Sequence, residues 1–297
     1  MLVLRALGIG DLLVAVPALR GLRAVTDRLV LAAPSWLTPL VALTGCVDES
    51  LPTPGLGSLR YRSPDVAVNL HGAGPESIAD LLATSPGRVL THRHPAFPAV
   101  AGPEWVAEQH EVTRWCRLLE WYGIAASPED LSLSRPRVAS VAPGAVVVHP
   151  GASEAARRWD VDGFAAVARA LAVDHRVVVT GSAAERDLAR AVAARAGLPE
   201  SAVLAGRLDL ARLAAAVADA AAVVCNDTGV GHLATAYGVP SVVLFGPTPP
   251  ERWGPPPERA RHVALRTGTI TAADVLAAAA RVTGAAPPGR PGVPRRR

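Results

Sequence analysis

One stretch of the chain, Val223 to Thr248, has the residue types and order to hold an anion. An apolar run ends at Asn226, and Asp227-Thr228-Gly229 then turns sharply. Val230–Tyr237 reads as a short helix stopped by Gly238 and Pro240, and a second buried strand follows at 241–245. A strand, a small polar turn and a helix start leave backbone N–H groups unpaired at the positive end of a helix dipole. Such a turn suits a phosphate or diphosphate, so a nucleotide or nucleotide-sugar is the implied ligand class. His232 stands one helical turn further on. It reads either as a phosphate or sugar contact or as a structural histidine.

Three other groups of residues invite chemistry. In Leu7-Gly8-Ile9-Gly10-Asp11 the glycines let a ligand approach the backbone, and Asp11 stands at a helix start. The third glycine of a dinucleotide fingerprint would fall at Leu13, and no acid closes the next strand, so a dehydrogenase reading is weak. Asp11 is then either a helix N-cap or a carboxylate available as a general base. In His149-Pro150-Gly151-Ala152-Ser153, a strand ends in a Gly/Ser turn, and Arg157-Arg158-Trp159 follows within a few residues. Guanidinium groups bind diphosphates through bidentate, permanently charged hydrogen bonds; a solvated pair beside a packed Trp is the alternative. Glu185, four residues after Gly181, sits just inside a helix, where it serves the dipole or contacts a ribose. No Ser/His/Asp triad, Cys nucleophile or His-rich metal cluster stands out, and the eight His are scattered.

The elements that must position these groups alternate. In the first half, strands are expected at 1–4, 28–32 and 65–70, with helices at 12–25, 36–44, 76–83 and 108–122. Residues 85–107 show no clear period. Ser127 to Gly144, with three prolines and many small residues, marks a break between domains. The alternation then resumes, with strands at 146–149, 176–180 and 202–205, and helices at 161–171, 184–196 and 208–218. A last helix, 271–282, has Thr271 as its N-cap. The expected fold is α/β, with two facing Rossmann-like, doubly wound domains and a cleft between them. The expected boundaries are 1–135 for the first domain, 136–144 for a linker, 145–270 for the second domain and 271–283 for the closing helix. Residues 284–297, rich in Pro, Gly and Arg, form an expected disordered tail.

Composition narrows the partners. The 297 residues give room for two cores, and half of them are apolar. Every basic residue is arginine. Four arginines lie between Arg290 and Arg297; without them the 26 remaining basic residues balance 26 acidic ones. The net charge of +4 thus belongs to the tail, which argues against a nucleic-acid partner and leaves at most peripheral membrane contact. Cys46, Cys116 and Cys225 lack metal-type spacing and read as buried thiols of a reducing compartment. The N-terminus lacks a secretory layout, so a cytoplasmic location is expected.

Taken in order, several pieces resemble glycosyltransferase family 9, the ADP-heptose:lipopolysaccharide heptosyltransferases. They are Arg5 with Gly10-Asp11, Asn69-Leu70-His71-Gly72, His149-Pro150-Gly151-Ala152 with Arg157-Arg158-Trp159, and Asp227-Thr228-Gly229 with His232. Phe245-Gly246-Pro247-Thr248-x-Pro250-x-Arg252 completes the set. The resemblance implies a GT-B fold and an inverting, metal-independent transfer of a heptose-like sugar, with an acceptor domain first and a nucleotide-sugar domain second. It implies that no cofactor is needed and that an ADP-sugar is the favoured donor. A hydroxyl of a glycan, glycolipid or natural product would be the acceptor. Asp11 matches the family's base. Arg157 stands where the family has a donor-phosphate lysine, and Glu185 matches its ribose-contacting acid. Asp227, Thr228, Gly229 and His232 match its diphosphate and sugar contacts, with Gly10 and Ser153 grouped among the donor-binding residues. Asp160 replaces a proline usual after the Trp, and Asn69 an Asp common there. The family's last helix commonly crosses back to the first domain, which would suit 271–282. A non-catalytic nucleotide- or sugar-binding module of the same fold is the competing class.

Overall fold

A computed structural model describes residues 1–256 and 260–283. It divides into two compact units, Met1–Arg137 with Glu251–Trp253 and the remainder from Val138. The expected tail lies outside the described residues.

The first unit is built on five parallel strands, β1 (Leu2–Leu4), β2 (Val30–Ala33), β3 (Glu49–Pro52), β4 (Val66–Asn69) and β5 (Arg88–Leu90). They lie side by side in the order β3-β2-β1-β4-β5. The inner strands β1 and β2 are wholly buried and apolar, as a parallel sheet covered on both faces requires. The outer strands β3 and β5 are short and partly exposed, so they carry no run that hydrophobic periodicity could reveal. Neither was foreseen.

The helix expected over 12–25 is two helices, α1 (Ile9–Val14) and α2 (Val16–Arg23). Pro17 has no N–H to donate and starts a new helix instead of continuing the old one. α1 begins early because the Asp11 carboxylate accepts from the Gly8 N–H. Then follow α3 (Thr38–Thr44), closed by Gly45 at φ +68°, α4 (Glu76–Ala83) and α5 (Glu111–Trp121).

The second unit contains β6 (Val146–His149), α6 (Val161–Leu171), β7 (Val177–Val179), α7 (Arg186–Ala196) and α8 (Leu210–Ala218). It continues with β8 (Ala222–Asn226), α9 (Gly229–Tyr237), β9 (Ser241–Phe245), the short α10 (Pro250–Trp253), β10 (His262–Arg266) and α11 (Ala272–Thr283). The strands are again parallel, in the order β10-β9-β8-β6-β7. The strand expected at 202–205 is reduced to one bridge, Val203 to Val179, because 200–202 coils into a 3-10 turn. The last three residues of α10 belong to the first unit, where Arg252 Nη2 donates to Oε1 of buried Glu111 at 3.1 Å.

α11 belongs to the second unit. It packs on α6 and on the faces of β8, β9 and β10, burying Val275, Ala278, Ala279 and Val282 in the second unit's core. Small alanines let the helix lie close to a valine-rich sheet. The three cysteines are free and buried. No described helix is long and apolar enough to cross a membrane.

The first unit also buries a titratable group that bears on its stability. His92 lies at the edges of Trp105 and Trp115, with ring centroids 5.0 and 6.0 Å away, and its Nδ1 is buried without a partner. Burial, helped by the charge of Arg114, lowers its pKa from 6.5 to about 4. In the unfolded chain His92 takes up a proton below pH 6.5, but in the fold it resists doing so until about pH 4. Its contribution is therefore complete above pH 6.5, shrinks as pH falls to about 4, and changes no further below that. Between pH 7 and pH 4.5 the wild type should lose on the order of 2–3 kcal/mol more stability than His92→Phe in denaturant titrations. Equal losses would remove His92 as the cause.

Candidate active site

In the second unit, β6 and β8 are neighbours, and the chain leaves them in opposite directions, toward β7 and toward β9. In open parallel sheets the crevice beyond such a pair of carboxyl ends is where ligands bind. The two turns there are 150–158 and 227–229.

Asn226, the last residue of β8, joins them. It is fully buried, and its Nδ2 donates to the carbonyls of Pro150 at 2.8 Å and Gly151 at 3.4 Å. Its Oδ1 accepts from the Trp159 N–H at 3.0 Å. One side chain thus grips both ends of the loop that carries Ser153 and Arg157. Trp159 is anchored beyond it against Phe164, with centroids 5.3 Å apart. Asp160 caps α6, accepting from the Gly163 N–H at 2.6 Å, which gives an acid a role where the family usually has proline.

Within this frame Arg157 ends a 3-10 turn, Ala155–Arg157. Its Nη1 lies 3.7 Å from Oδ2 of Asp227, its Nη2 lies 3.7 Å from Oε1 of Glu154, and a third of its side chain is exposed. Gly246 allows the turn after β9 to support this backbone: a Cβ there would sit 2.8 Å from the Ala156 carbonyl and 3.3 Å from the Arg157 Cα. Arg158 turns away, donating to the Ala152 carbonyl from Nε at 3.1 Å and from Nη2 at 2.8 Å. Ser153 is exposed on the same loop.

α9 starts beside Asp227. Thr228 is its extended N-cap but makes no capping bond with its side chain, and its Oγ1 is buried without a partner. The Gly231 N–H donates to the Thr228 carbonyl at 3.1 Å, but no side chain caps the N–H groups of Gly229 and Val230. Gly229 and His232, three residues apart, share one side of that turn and are half-exposed. An acceptor-only carboxylate at Asp227 can hold Arg157 or a hydroxyl but not a phosphate oxygen. The cationic pole here is Arg157 with the α9 N-terminus.

Glu185 closes the other side of the loop. Its Oε2 accepts from the Ser182 N–H at 2.7 Å, and its carboxylate lies over Gly151, where a Cβ would come within 2.2 Å of Oε1. Burial pushes its pKa up, but the Ser182 hydrogen bonds and the charges of His149 and Arg158 outweigh that and hold it below the usual carboxylate range. His149 is buried behind it, with Nδ1 3.0 Å from Thr180 Oγ1; burial lowers its pKa against the pull of Glu185.

The first unit has a matching pair of strand ends, β1 and β4, with departures toward β2 and β5. Arg5, fully buried after β1, stacks over Trp115 at 4.8 Å from the ring centroid. Its Nη2 donates to Oδ1 of Asp11 at 3.2 Å and its Nε to the Asp11 carbonyl at 2.9 Å. Its Nη1 reaches the carbonyls of Leu70 and, at 3.4 Å, His71. Burial lowers its pKa, opposed by Asp11 and Glu111, and a guanidinium remains charged in either case. Asp11 is the third residue of α1, not its N-cap; Oδ2 accepts from the Gly8 N–H at 3.3 Å, and its side chain stays 29% exposed. Gly10 lies inside the same helix. Asn69 is buried at the end of β4, donating to Gly72, Ser77 and Thr91 oxygens and accepting from the His71 N–H. Two of its three acceptors are hydroxyls, and an Asp would lose all three donations.

The structure thus places Ser153, Arg157, Glu185, Asp227, Thr228, Gly229 and His232 on the turns and helix starts that follow β6, β7 and β8 of the second unit, and Gly10 with Asp11 in the first. Sequence reasoning assigned no role to Arg5 or Asn226. Their signal was a charged or amide side chain at the very end of a buried apolar strand, where pairing is obligatory. Among the described residues, no three His, Cys, Asp or Glu are placed to hold a metal ion.

Residues 101–275, more than half of the chain, match the family model described as glycosyltransferase family 9 (heptosyltransferase). The chain belongs to glycosyltransferase family 9. It is 39% identical over 163 residues to lipopolysaccharide heptosyltransferase 1 of Pseudomonas aeruginosa, a match covering 52% of this chain and 43% of that protein. It is 25% identical to lipopolysaccharide heptosyltransferase 2 of Salmonella typhimurium over an alignment 308 positions long, gaps included, covering 88% of this chain and 86% of that protein. The solved structure of E. coli ADP-heptose lps heptosyltransferase II superposes with a TM-score of 0.75 at 20% identity, covering 95% of this chain and 98% of that one. As a family 9 member the chain is a glycosyltransferase, and its two parallel α/β units are those of the GT-B fold.

Replacing Asn226 by Ala would leave the Pro150 and Gly151 carbonyls and the Trp159 N–H without their partner. Unfolding free energy should fall by about 1–3 kcal/mol, read from chemical denaturation. A change under about 0.5 kcal/mol would show that the loop does not depend on Asn226.

Proposed function

We propose that this family 9 enzyme transfers a heptose-like sugar from a nucleoside-diphosphate donor, with an ADP-sugar favoured, to a hydroxyl of a lipopolysaccharide-type glycolipid. The observation that carries the reading is the start of α9, where no side chain caps the Gly229 and Val230 N–H groups, next to Asp227, which Arg157 approaches. A diphosphate would give these donors their missing acceptor. In this reading Glu185, held anionic by the Ser182 hydrogen bonds, takes the ribose hydroxyls, and Asp227 and His232 take the sugar. The names of the Pseudomonas and Salmonella relatives support lipopolysaccharide as the acceptor class, and that of the E. coli structure supports ADP-heptose.

In this mechanism Asp11 takes the proton of an acceptor hydroxyl, and that oxygen attacks the anomeric carbon on the face opposite the diphosphate. The bond from the anomeric carbon to the phosphate oxygen breaks, and the nucleoside diphosphate leaves with the configuration inverted. Arg157 and the α9 dipole stabilise the charge that develops on it, the electrostatic work a metal ion would otherwise perform. Arg5 acts as a positioning residue, fixing Oδ1 of Asp11 from below.

A screen of ADP-, GDP-, UDP- and dTDP-sugars by thermal shift should single out the ADP-sugar, since a ligand bound by the folded state raises the melting temperature. Asp11→Asn should lower kcat by roughly 10²–10⁴ with donor affinity kept. Undiminished turnover would exclude Asp11 as the base. Arg157→Ala should weaken ADP binding by about ten- to a hundredfold, the loss of a charge-assisted contact. An unchanged dissociation constant in calorimetry would place the diphosphate elsewhere.

A further inference from the structure

The crevice beyond β1 and β4 is lined by the turns that follow them, and a single guanidinium, Arg5, holds both. Asp11 lies on one turn. His71 lies on the other and has no part in the chemistry described so far.

The backbone of His71 is pinned on both sides. Its N–H donates to Asn69 Oδ1 at 3.0 Å, and its carbonyl accepts from Arg5 Nη1 at 3.4 Å. Its side chain is half-buried, and its two ring nitrogens differ. Nδ1 is enclosed and has no hydrogen-bond partner, so the nitrogen that meets the crevice is Nε2. Burial, followed by the charge of Arg5, lowers the imidazole pKa, against the opposing pull of Asp11 and Asp80. The ring is therefore neutral at pH 7. A proton on enclosed Nδ1 would be a donor with nothing to receive it, at a cost of about 1–3 kcal/mol. The tautomer that avoids this cost carries its proton on Nε2, facing outward.

We propose that His71 contacts the acceptor: Nε2–H donates to a neutral carbohydrate oxygen next to the hydroxyl that Asp11 deprotonates. An uncharged donor selects a hydroxyl or ether oxygen over a phosphate, and the nearest cation, Arg5, is fully buried and committed to Asp11 and two carbonyls. The assignment rests on reading Asp11 as the base of this same crevice. It makes His71 a determinant of acceptor recognition, with no effect on the donor.

The test uses ADP-heptose and lipopolysaccharide lacking core heptose. His71→Ala should raise the KM for that lipopolysaccharide about three- to tenfold, the loss of one neutral hydrogen bond. The KM for donor and kcat should stay near wild type, and His71→Gln, which keeps an N–H donor, should recover most of the loss. A KM for acceptor that does not move, or a KM for donor that does, overturns the assignment. Carbethoxylation of the unaltered protein, mapped by mass spectrometry, supplies a readout that does not depend on a variant folding. His71 should be modified in the free enzyme and protected by the lipopolysaccharide but not by ADP; an unreactive His71, or protection by ADP alone, counts against it. If the wild type transfers no heptose to this acceptor, the functional reading falls and takes this one with it. If the wild type transfers and His71→Ala matches it, only the role of His71 falls.

Discussion

A polar side chain buried at the carboxyl end of a parallel strand persists only if the loops beyond the strand come to it and satisfy it. That constraint recurs three times. Arg5 follows β1, Asn69 ends β4 and Asn226 ends β8, and all three are essentially inaccessible to water. Arg5 and Asn226 gather backbone groups from turns remote in sequence, and Asn69 ties its own turn to the Ser77 and Thr91 hydroxyls, because an unsatisfied amide or guanidinium in a valine-rich core costs more than the loop entropy spent in meeting it. The sheets themselves follow from apolar burial. The shape of the crevices follows from these three side chains.

The same constraint divides labour within each crevice. Structural donors and acceptors are paired and buried: Arg5 beneath Asp11, Asn226 beneath the loop of Arg157. Among the groups left partly exposed or unpartnered are those to which the proposed mechanism gives chemistry, namely Asp11, Arg157 and Nε2 of His71. Electrostatic preorganisation of this kind is effective because the supporting groups do not have to move when charge develops.

The inner strands and the helices were legible because their residues alternate between runs of Val, Leu and Ala and clear punctuation; 76–83, 146–149, 161–171 and 241–245 are recovered with their ends intact. The edges were not. β3 and β10 are half-exposed and mixed in composition, so they form because a neighbouring strand offers its free edge and not because their own pattern demands it. The break between α1 and α2 was written in Pro17 but masked by the apolar stripe that continues across it. α11 stays with the second unit because Val275, Ala278 and Val282 match that unit's sheet, a matter of surface fit that no local pattern encodes. At the site, the exposed polar residues stood out in short motifs, whereas Arg5 and Asn226 act through partners some 65 to 76 residues distant in sequence, which only the fold brings together.

The central claim is that a diphosphate docks on the N-terminus of α9. Amide resonances of Thr228, Gly229 and Val230, followed by NMR during titration with ADP and separately with adenosine, test it most directly. ADP should shift these amides in a saturable way, through hydrogen bonds from the backbone N–H groups to phosphate oxygens, and adenosine should leave them unmoved. ADP binding that saturates while these three amides stay in place would contradict the account.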